Sequence, residues 1–538
     1  MPQAPFIIRP LANLPNLHEL RRESQQLALK YAFEPTKVTD KDLEQIGRKL
    51  FEALDIADRL DQAQVKGGSV ILPIIIESES GEIQALPWES LYHPDYGFLG
   101  KDTRFSLSRR FHASPPAFPP LEKGPLRVLL FTALPDNLNP ETERLNVEEE
   151  QVQVQEALLP QIAKGRVDLR MPDDGRFSTF EKLLKSFSPH LIFLSGHGDF
   201  YHQPHTGEPP YGTFVFENKH GKSAPIRDEV IAKTFVGSGV QAVILASCES
   251  GKAVSGALND GLMQKISQAG VSHVIGMRES LFDSAGHQFV RAISAGLAEG
   301  TRVDLSLQTA REAMIQPISG SPASYGQWVL PTLYSPSPER PLIDWDFTPR
   351  KKENIASKTL SNITLPPRFV GRRAELRQYK SRIFDGELKN LLITGAGGYG
   401  KTSLAGKLAF DLQEDGYKVF AWSAREENSW KNFESEMQLS LSKPRIERYT
   451  QKMLEFESEQ DKIAAFLELL SEEFQGKLVL FFDNLEDVQD VESLNLKDEG
   501  LRNWLETASK EEGLILLATS RWKLPNWRGE YLSLTHAN

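Results

Sequence analysis

Apolar residues recur at helical spacing early in the chain. Leu43, Ile46, Leu50 and Leu54 fall on one face, and residues 11 to 65 read as helical. From Ser69 to Arg110 the pattern changes to short strand signals, SVILPIII, EIQAL and FSLSRR, separated by Gly and Pro turns. SPPAFPP at 114–120 is a proline-rich break. From Leu126 onward strands and helices alternate. LRVLLFTAL is an apolar run suited to a buried parallel strand. Residues 141–163 predict a helix with glutamates in its first half, where the positive end of the helix dipole favours them. VDLRM, a helix over 178–187 and LIFLSG come next. TFVFE, a helix over 226–236, AVILAS, a helix over 257–269, HVIGM, two helices up to 315 and WVLPTLY complete the series. This alternation predicts an α/β fold built on a parallel sheet with helices on both faces. Periodicity fades over 335–366, and a second α/β unit begins at Phe369. LLIT, KVFAWS, LVLFFD, LILLAT and YLSL are its five candidate strands.

Length and composition bound what these units do. The 538 residues suit two large domains or three to four ordinary ones. The pattern divides them into an N-terminal helical region (1–68), a first α/β domain (69–335), a linker (336–365) and a second α/β domain (366–538). A net charge of −11 gives no global electrostatic case for nucleic acid. The single cysteine forms no intramolecular disulfide and fits a reducing cytoplasm. MPQAPFIIRP lacks the features of a signal peptide. No apolar stretch reaches the roughly 18 to 20 residues of a membrane helix, so a soluble, cytoplasmic protein is expected.

That one cysteine is placed where chemistry collects. His197 follows the apolar strand LIFLS, Cys248 follows AVILA, and the two are 51 residues apart. In open parallel sheets, sites gather at the carboxyl ends of strands. A nucleophilic thiol needs a base within hydrogen-bond reach, which two adjacent strand ends supply. Gly198 lets its N–H approach a substrate carbonyl, and with the Cys248 N–H it forms a candidate oxyanion hole. The spacing is that of caspases, whose histidine precedes the cysteine by roughly 50 residues, although the local caspase motif is absent from ASCESG.

Residues 70–335 resemble a CHAT domain, a caspase–separase-like peptidase family. The matching blocks are LPWESLYHPDYGFL at 86–99, FLSGHG around His197, ILASCESG around Cys248, VIGMRESLFDSAGHQFVRAISAGLAEG at 274–300, LQTAREAM and WVLPTLY. The resemblance implies a caspase-like sheet, His197 as base, Cys248 as nucleophile and a protein substrate. Asp199, Glu249 and Asp283 are candidates for a specificity pocket, or are surface and capping carboxylates. Asp199, His202 and His205 match no standard zinc spacing well.

The second unit carries LLITGAGGYGKTS at 391–403, a strand, a glycine-rich loop and a helix start. This is the phosphate-loop pattern in its required context. Gly395, Gly397, Gly398 and Gly400 free the backbone N–H groups for phosphate, Lys401 reaches the β- and γ-phosphates, and Thr402, next to Ser403, binds magnesium. Asp483, at the end of KLVLFFDN, is the second magnesium anchor. PPRFVGRRAEL at 366–376 and TSR at 519–521 resemble motifs of STAND or NB-ARC signalling ATPases. That resemblance implies adenine contacts near Phe369, Val370 and Gly371, Arg372 near the nucleotide, and Arg521 near the γ-phosphate. The cofactors implied are ATP or ADP with Mg2+. Asn484 stands where many relatives carry a second acid, and Glu486 is a candidate substitute. The lid and sensor regions of that class are not found before LTHAN, so they are expected on a longer product or another chain.

Together these features lead to the expectation of a cysteine endopeptidase effector in a signalling or defence system. It would be controlled by nucleotide-driven assembly as a homo-oligomer or with a sensor partner. The alternative is a non-proteolytic scaffold with a nucleotide switch.

Overall fold

The apolar runs become the central strands of two parallel sheets. The computed structural model describes residues 4–10, 14–67, 71–111, 118, 120–138, 147–201, 211–245, 255–279, 281–315, 325–349, 363, 371–424 and 430–535. Two units divide the chain, Met1–Lys352 and Glu353–Asn538. Among the described residues, no helix is long and apolar enough to cross a membrane.

The first unit contains strands β1 (Phe6–Ile8), β2 (Leu72–Glu77), β3 (Tyr92–His93), β4 (Gly97–Phe98), β5 (Phe105–Arg110), β6 (Leu126–Thr132) and β7 (Val167–Arg170). These are followed by β8 (Leu191–Ser195), β9 (His197–Tyr201), β10 (Tyr211–Glu217), β11 (Ser223–Arg227), β12 (Ala242–Leu245), β13 (His273–Met277) and β14 (Pro331–Tyr334). Nine of them form one sheet in the order β1-β2-β5-β14-β13-β12-β8-β6-β7. Only the β13–β14 pairing in it is antiparallel. Its central strands are apolar on both faces because helices cover both. Val128, Leu130, Leu191, Phe193, Ala242 and Ile244 pack with Val154 and Leu158 of helix Val147–Ala163 and Phe289 and Ile293 of helix Asp283–Glu299. Leu129, Phe131, Ile192, Leu194, Val243 and Leu245 face the other way, onto helices Phe177–Ser186, Asp228–Phe235 and Ser255–Gln268.

Three features depart from the sequence pattern. EIQAL, read as a strand, forms the one-turn helix Gly81–Gln84, closed by the Ala85 N–H on Gly81 O at 2.9 Å. The Gln84 amide is spent on Ser78 O and Arg110 O, which ties this turn to β5. A small antiparallel sheet, β11-β10-β9, stands beside the main sheet and carries His197 on its first strand. Finally, β1 adds to β2 in parallel, with Phe6 opposite Ile74. The helical pattern over 11–65 is carried by helices Leu17–Phe33, Asp40–Leu54 and Ala57–Gly67. Their Leu20, Ile46, Leu50 and Phe51 share a core with Ile74, Ile76 and Leu107 of the sheet.

The second unit is a five-stranded parallel sheet of β15 (Asn390–Thr394), β16 (Lys418–Ser423), β17 (Leu478–Asp483), β18 (Ile515–Ser520) and β19 (Glu530–Ser533). The order is β16-β17-β18-β15-β19, built from all five candidate strands. Helix Lys401–Glu414 covers one face through Leu404, Leu408 and Leu412. Helices Glu459–Glu473 and Glu499–Ala508 cover the other through Phe466, Leu470, Trp504 and Leu505.

Candidate active site and nucleotide site

In the main sheet β8 and β12 are neighbours and parallel, with Leu194 directly opposite Leu245. His197 lies three residues beyond Leu194, and Cys248 lies three residues beyond Leu245. In sequence, both residues thus come three positions after a pair that face each other across β8 and β12. Cys248 itself, with Glu249, His202 and His205, lies outside the described residues. His197 is buried and opens β9 opposite Val215, with Gly198 opposite Phe214. Gly196 makes the passage from β8 to β9 feasible. A methyl group there would lie 2.5 Å from Phe214 Cζ and 3.1 Å from Ala133 O. The chain thus leaves the sheet in one direction, and His197 is carried on paired strand rather than on a free loop.

The surrounding strand ends are fastened. The Glu217 carboxylate accepts the N–H groups of Leu134 and Gly175, both at 2.8 Å, and so joins β10, the end of β6 and the segment before helix Phe177–Ser186. The Ala133 N–H donates to Ser195 O at 2.9 Å. Catalytic groups require this kind of support from rigid elements. Asp199 pairs through its backbone with Thr213 in the β9–β10 ladder. Asp283 is exposed in the first turn of its helix, where a carboxylate complements the dipole.

Sequence reasoning missed Glu150. Its carboxyl is buried near the N-terminus of helix Val147–Ala163 and accepts the Ser195 hydroxyl at 2.5 Å, two residues before His197. Next to it the Gln151 amide donates to Thr132 Oγ1 at 2.9 Å, at the end of β6. Burial pushes the Glu150 carboxyl up to about 7, only partly opposed by the Ser195 hydrogen bond. The sign of the pH effect follows. The advantage of the buried protonated form is full below the ordinary glutamate range. It is lost as pH rises to about 7, because only the unfolded chain ionises freely in that window. The span corresponds to about 3 kcal/mol. Glu150→Gln, neutral at every pH, is expected to flatten the fall in thermal stability between pH 5 and pH 8. Scanning calorimetry across that range checks it, and parallel profiles for variant and wild type would count against a buried acid here.

In the second unit the loop between β15 and helix Lys401–Glu414 runs through Gly395, Gly397, Gly398 and Gly400. Gly395, Gly398 and Gly400 have φ of 149°, 83° and 82°, conformations that L side chains resist. Lys401 Nζ lies along this loop and donates to Gly395 O at 2.9 Å and Ala396 O at 3.2 Å. Thr402 Oγ1 donates to Asp483 Oδ1 at 2.8 Å, and Thr519 Oγ1 donates to the same oxygen at 2.6 Å. The structure thus brings together Thr402, at the start of helix Lys401–Glu414, and Asp483, at the end of β17. Ser403 follows them into the helix. Arg521 extends from the end of β18 with its Nη2 3.9 Å from where a Cβ on Gly397 would lie. Arg372 pairs with Glu375 at 3.0 Å and donates to Thr535 O at 2.7 Å. Thr535 adjoins Leu534, whose carbonyl presses against Gly395, so Arg372 borders the loop. Gly371 has φ 88° just before it, and Phe369 and Val370 lie outside the described residues. A glycine-rich loop with left-handed turns, a lysine at the helix start and a Thr–Asp oxygen pair fit a magnesium-bound nucleotide.

Comparison with known proteins agrees with both units. The family profile described as CHAT domain matches residues 41–350, and that described as AAA ATPase domain matches residues 368–521. Comparison with curated proteins gives no match. Among solved structures, the separase–securin complex of Saccharomyces cerevisiae aligns at 14% identity and TM-score 0.29, over 53% of this chain and 18% of that one. The chain thus spans about a fifth of the separase chain. The Arg-specific cysteine proteinase gingipain R aligns at 9% identity and TM-score 0.34, over 62% of this chain and 78% of that one. The chain belongs to the CHAT-domain family, and its CHAT domain is followed by an AAA ATPase domain.

Proposed function

We propose that this chain is a cysteine endopeptidase under nucleotide control, with Cys248 as nucleophile and His197 as general base. The observation that supports the reading is the pairing of Leu194 with Leu245 across β8 and β12, each three residues before His197 and Cys248 in the sequence. The Gly198 and Cys248 N–H groups serve as oxyanion donors to a peptide carbonyl. A peptide carrying a thiol-reactive electrophile tests the dyad. It should label Cys248 in the wild type, and His197→Ala should slow labelling to the rate of an ordinary thiol. Labelling that ignores His197 would instead favour a non-proteolytic scaffold.

The second domain serves as the control element, binding ATP or ADP with Mg2+. Its loop amides and Lys401 hold phosphate, and Thr402 and Asp483 hold the metal. Bound nucleotide supplies the phosphate charge that these groups gather around. A STAND-like switch, assembly as a homo-oligomer or with a sensor partner, and a cytoplasmic signalling or defence role follow from the motif resemblance at 366–376 and 519–521. Lys401→Ala is expected to weaken ATP and ADP binding about 10- to 100-fold, since a charge-assisted phosphate contact is removed. Titration calorimetry checks this, and unchanged affinity would remove the phosphate-loop assignment.

A further inference from the structure

Glu486 sits in the short turn Leu485–Val488 directly after β17. Asn484, which follows the magnesium-site Asp483, adopts a left-handed conformation at φ 58°. It gives its N–H to Thr519 Oγ1 at 2.9 Å and its side-chain amide to Ser423 Oγ at 3.4 Å. Residue 484 is thus tied down between strands, and the turn brings residue 486 to the phosphate loop. One oxygen of Glu486, Oε1, lies 3.9 Å from Lys401 Nζ and 3.3 Å from Arg521 Nε. The Glu486 side chain is only 8% exposed. Its other oxygen, Oε2, is buried and has no hydrogen-bond partner among the described residues.

Two cations from two separate motifs therefore converge on a single carboxylate oxygen. A nucleotide in this loop presents its phosphates to the same lysine, and Arg521, which overhangs Gly397, is placed for the outermost one. A buried carboxylate and a terminal phosphate carry like charge, and both cannot hold these cations at close range. We propose that Glu486 is a built-in competitor of the terminal phosphate for Lys401 and Arg521, so that it sets the preference between nucleoside di- and triphosphates. The proposal deepens the nucleotide-binding reading and rests on it. On this proposal a diphosphate leaves the Glu486–Arg521 pair in place, whereas a triphosphate displaces it.

The same turn also fastens the chain on either side of Arg521. Gln489, at the end of the same turn, accepts the Ser520 hydroxyl at 2.8 Å and donates to Lys523 O at 3.1 Å. These contacts flank Arg521, which directly follows β18.

The test is nucleotide binding by the full chain, measured with ADP and with a non-hydrolysable ATP analogue in the presence of Mg2+. Glu486→Gln keeps the shape and removes the competing charge. It should tighten the triphosphate analogue about tenfold and change ADP by less than threefold. Glu486→Asp, which withdraws the charge without deleting it, should fall between, and it decides the matter if the Gln variant does not fold. Triphosphate affinity that is unchanged or weaker in both variants overturns the proposal. A wild-type chain that binds neither nucleotide overturns the nucleotide reading, and the competitor proposal with it.

Discussion

Replacing His197 with alanine is expected to cut peptide cleavage about a thousandfold or more, and replacing Cys248 with alanine is expected to abolish it. A general base contributes roughly 100- to 10,000-fold. Residues that act as one unit fail together, so the double variant should be no worse than Cys248→Ala alone. Fold loss does not explain such a result if the variants keep the wild-type melting profile and nucleotide affinity. His197 is held by backbone pairing opposite Val215 and by the Gly196 passage, neither of which uses the imidazole. A fluorogenic peptide library provides the substrate, and kcat/KM is the quantity compared. Cleavage that survives Cys248→Ala would sink the peptidase assignment, since the chain has no second cysteine to act.

Much of this arrangement was legible in the sequence for a specific reason. LIFL and AVIL are apolar at every position because helices cover both faces of the sheet. Such runs announce central strands, and a residue directly after one is already located at a strand end. The same logic found the phosphate loop between β15 and its helix. Other elements left weaker marks. FII at β1 is too short to separate from an apolar stretch of coil. Strand β9 begins directly after the Gly196 passage, so HGDFY reads as a continuation of the loop. In EIQAL, Ala85 and Leu86 come two and three positions after Ile83, spacings that suit a strand and a helical turn respectively. Glu150 was hidden by its neighbours. In the run EEEQ a helix dipole accounts for all three acids equally, and only the packing of the helix shows that the third faces Ser195. Glu486 was visible as an acid near Asp483, but its meeting with Arg521 depends on the left-handed turn at Asn484.

Removing the charge of Glu89 is expected to destabilise the CHAT domain by about 3–5 kcal/mol, the usual result of orphaning a buried ion pair. Glu89, Arg109 and Arg311 are 0%, 0% and 1% exposed. Arg109 Nε donates to Glu89 Oε1 at 3.0 Å, and its Nη2 reaches both Glu89 Oε2 and Leu86 O. Arg311 donates to Pro331 O at 2.7 Å. Burial alone would raise the Glu89 carboxyl, but Arg109, aided by Arg311 and Arg278, more than offsets it and holds the group below the ordinary range. Burial drives Arg311 the other way, down to about 10, despite the attraction of Glu89. The cluster therefore has little charge to spare: Glu89→Gln takes the carboxylate away from two buried guanidinium groups. The sign of the double variant separates charge from packing. Glu89→Met combined with Arg109→Leu removes the most tightly coupled pair, and apolar replacements of buried pairs are often neutral. The double variant should therefore unfold at higher urea than Glu89→Gln alone. If it is instead the less stable of the two, the hydrogen bonds from Arg109 to Leu86 O and Gln84 O, rather than the charge pair, fasten the Trp88–Ser90 turn to β5.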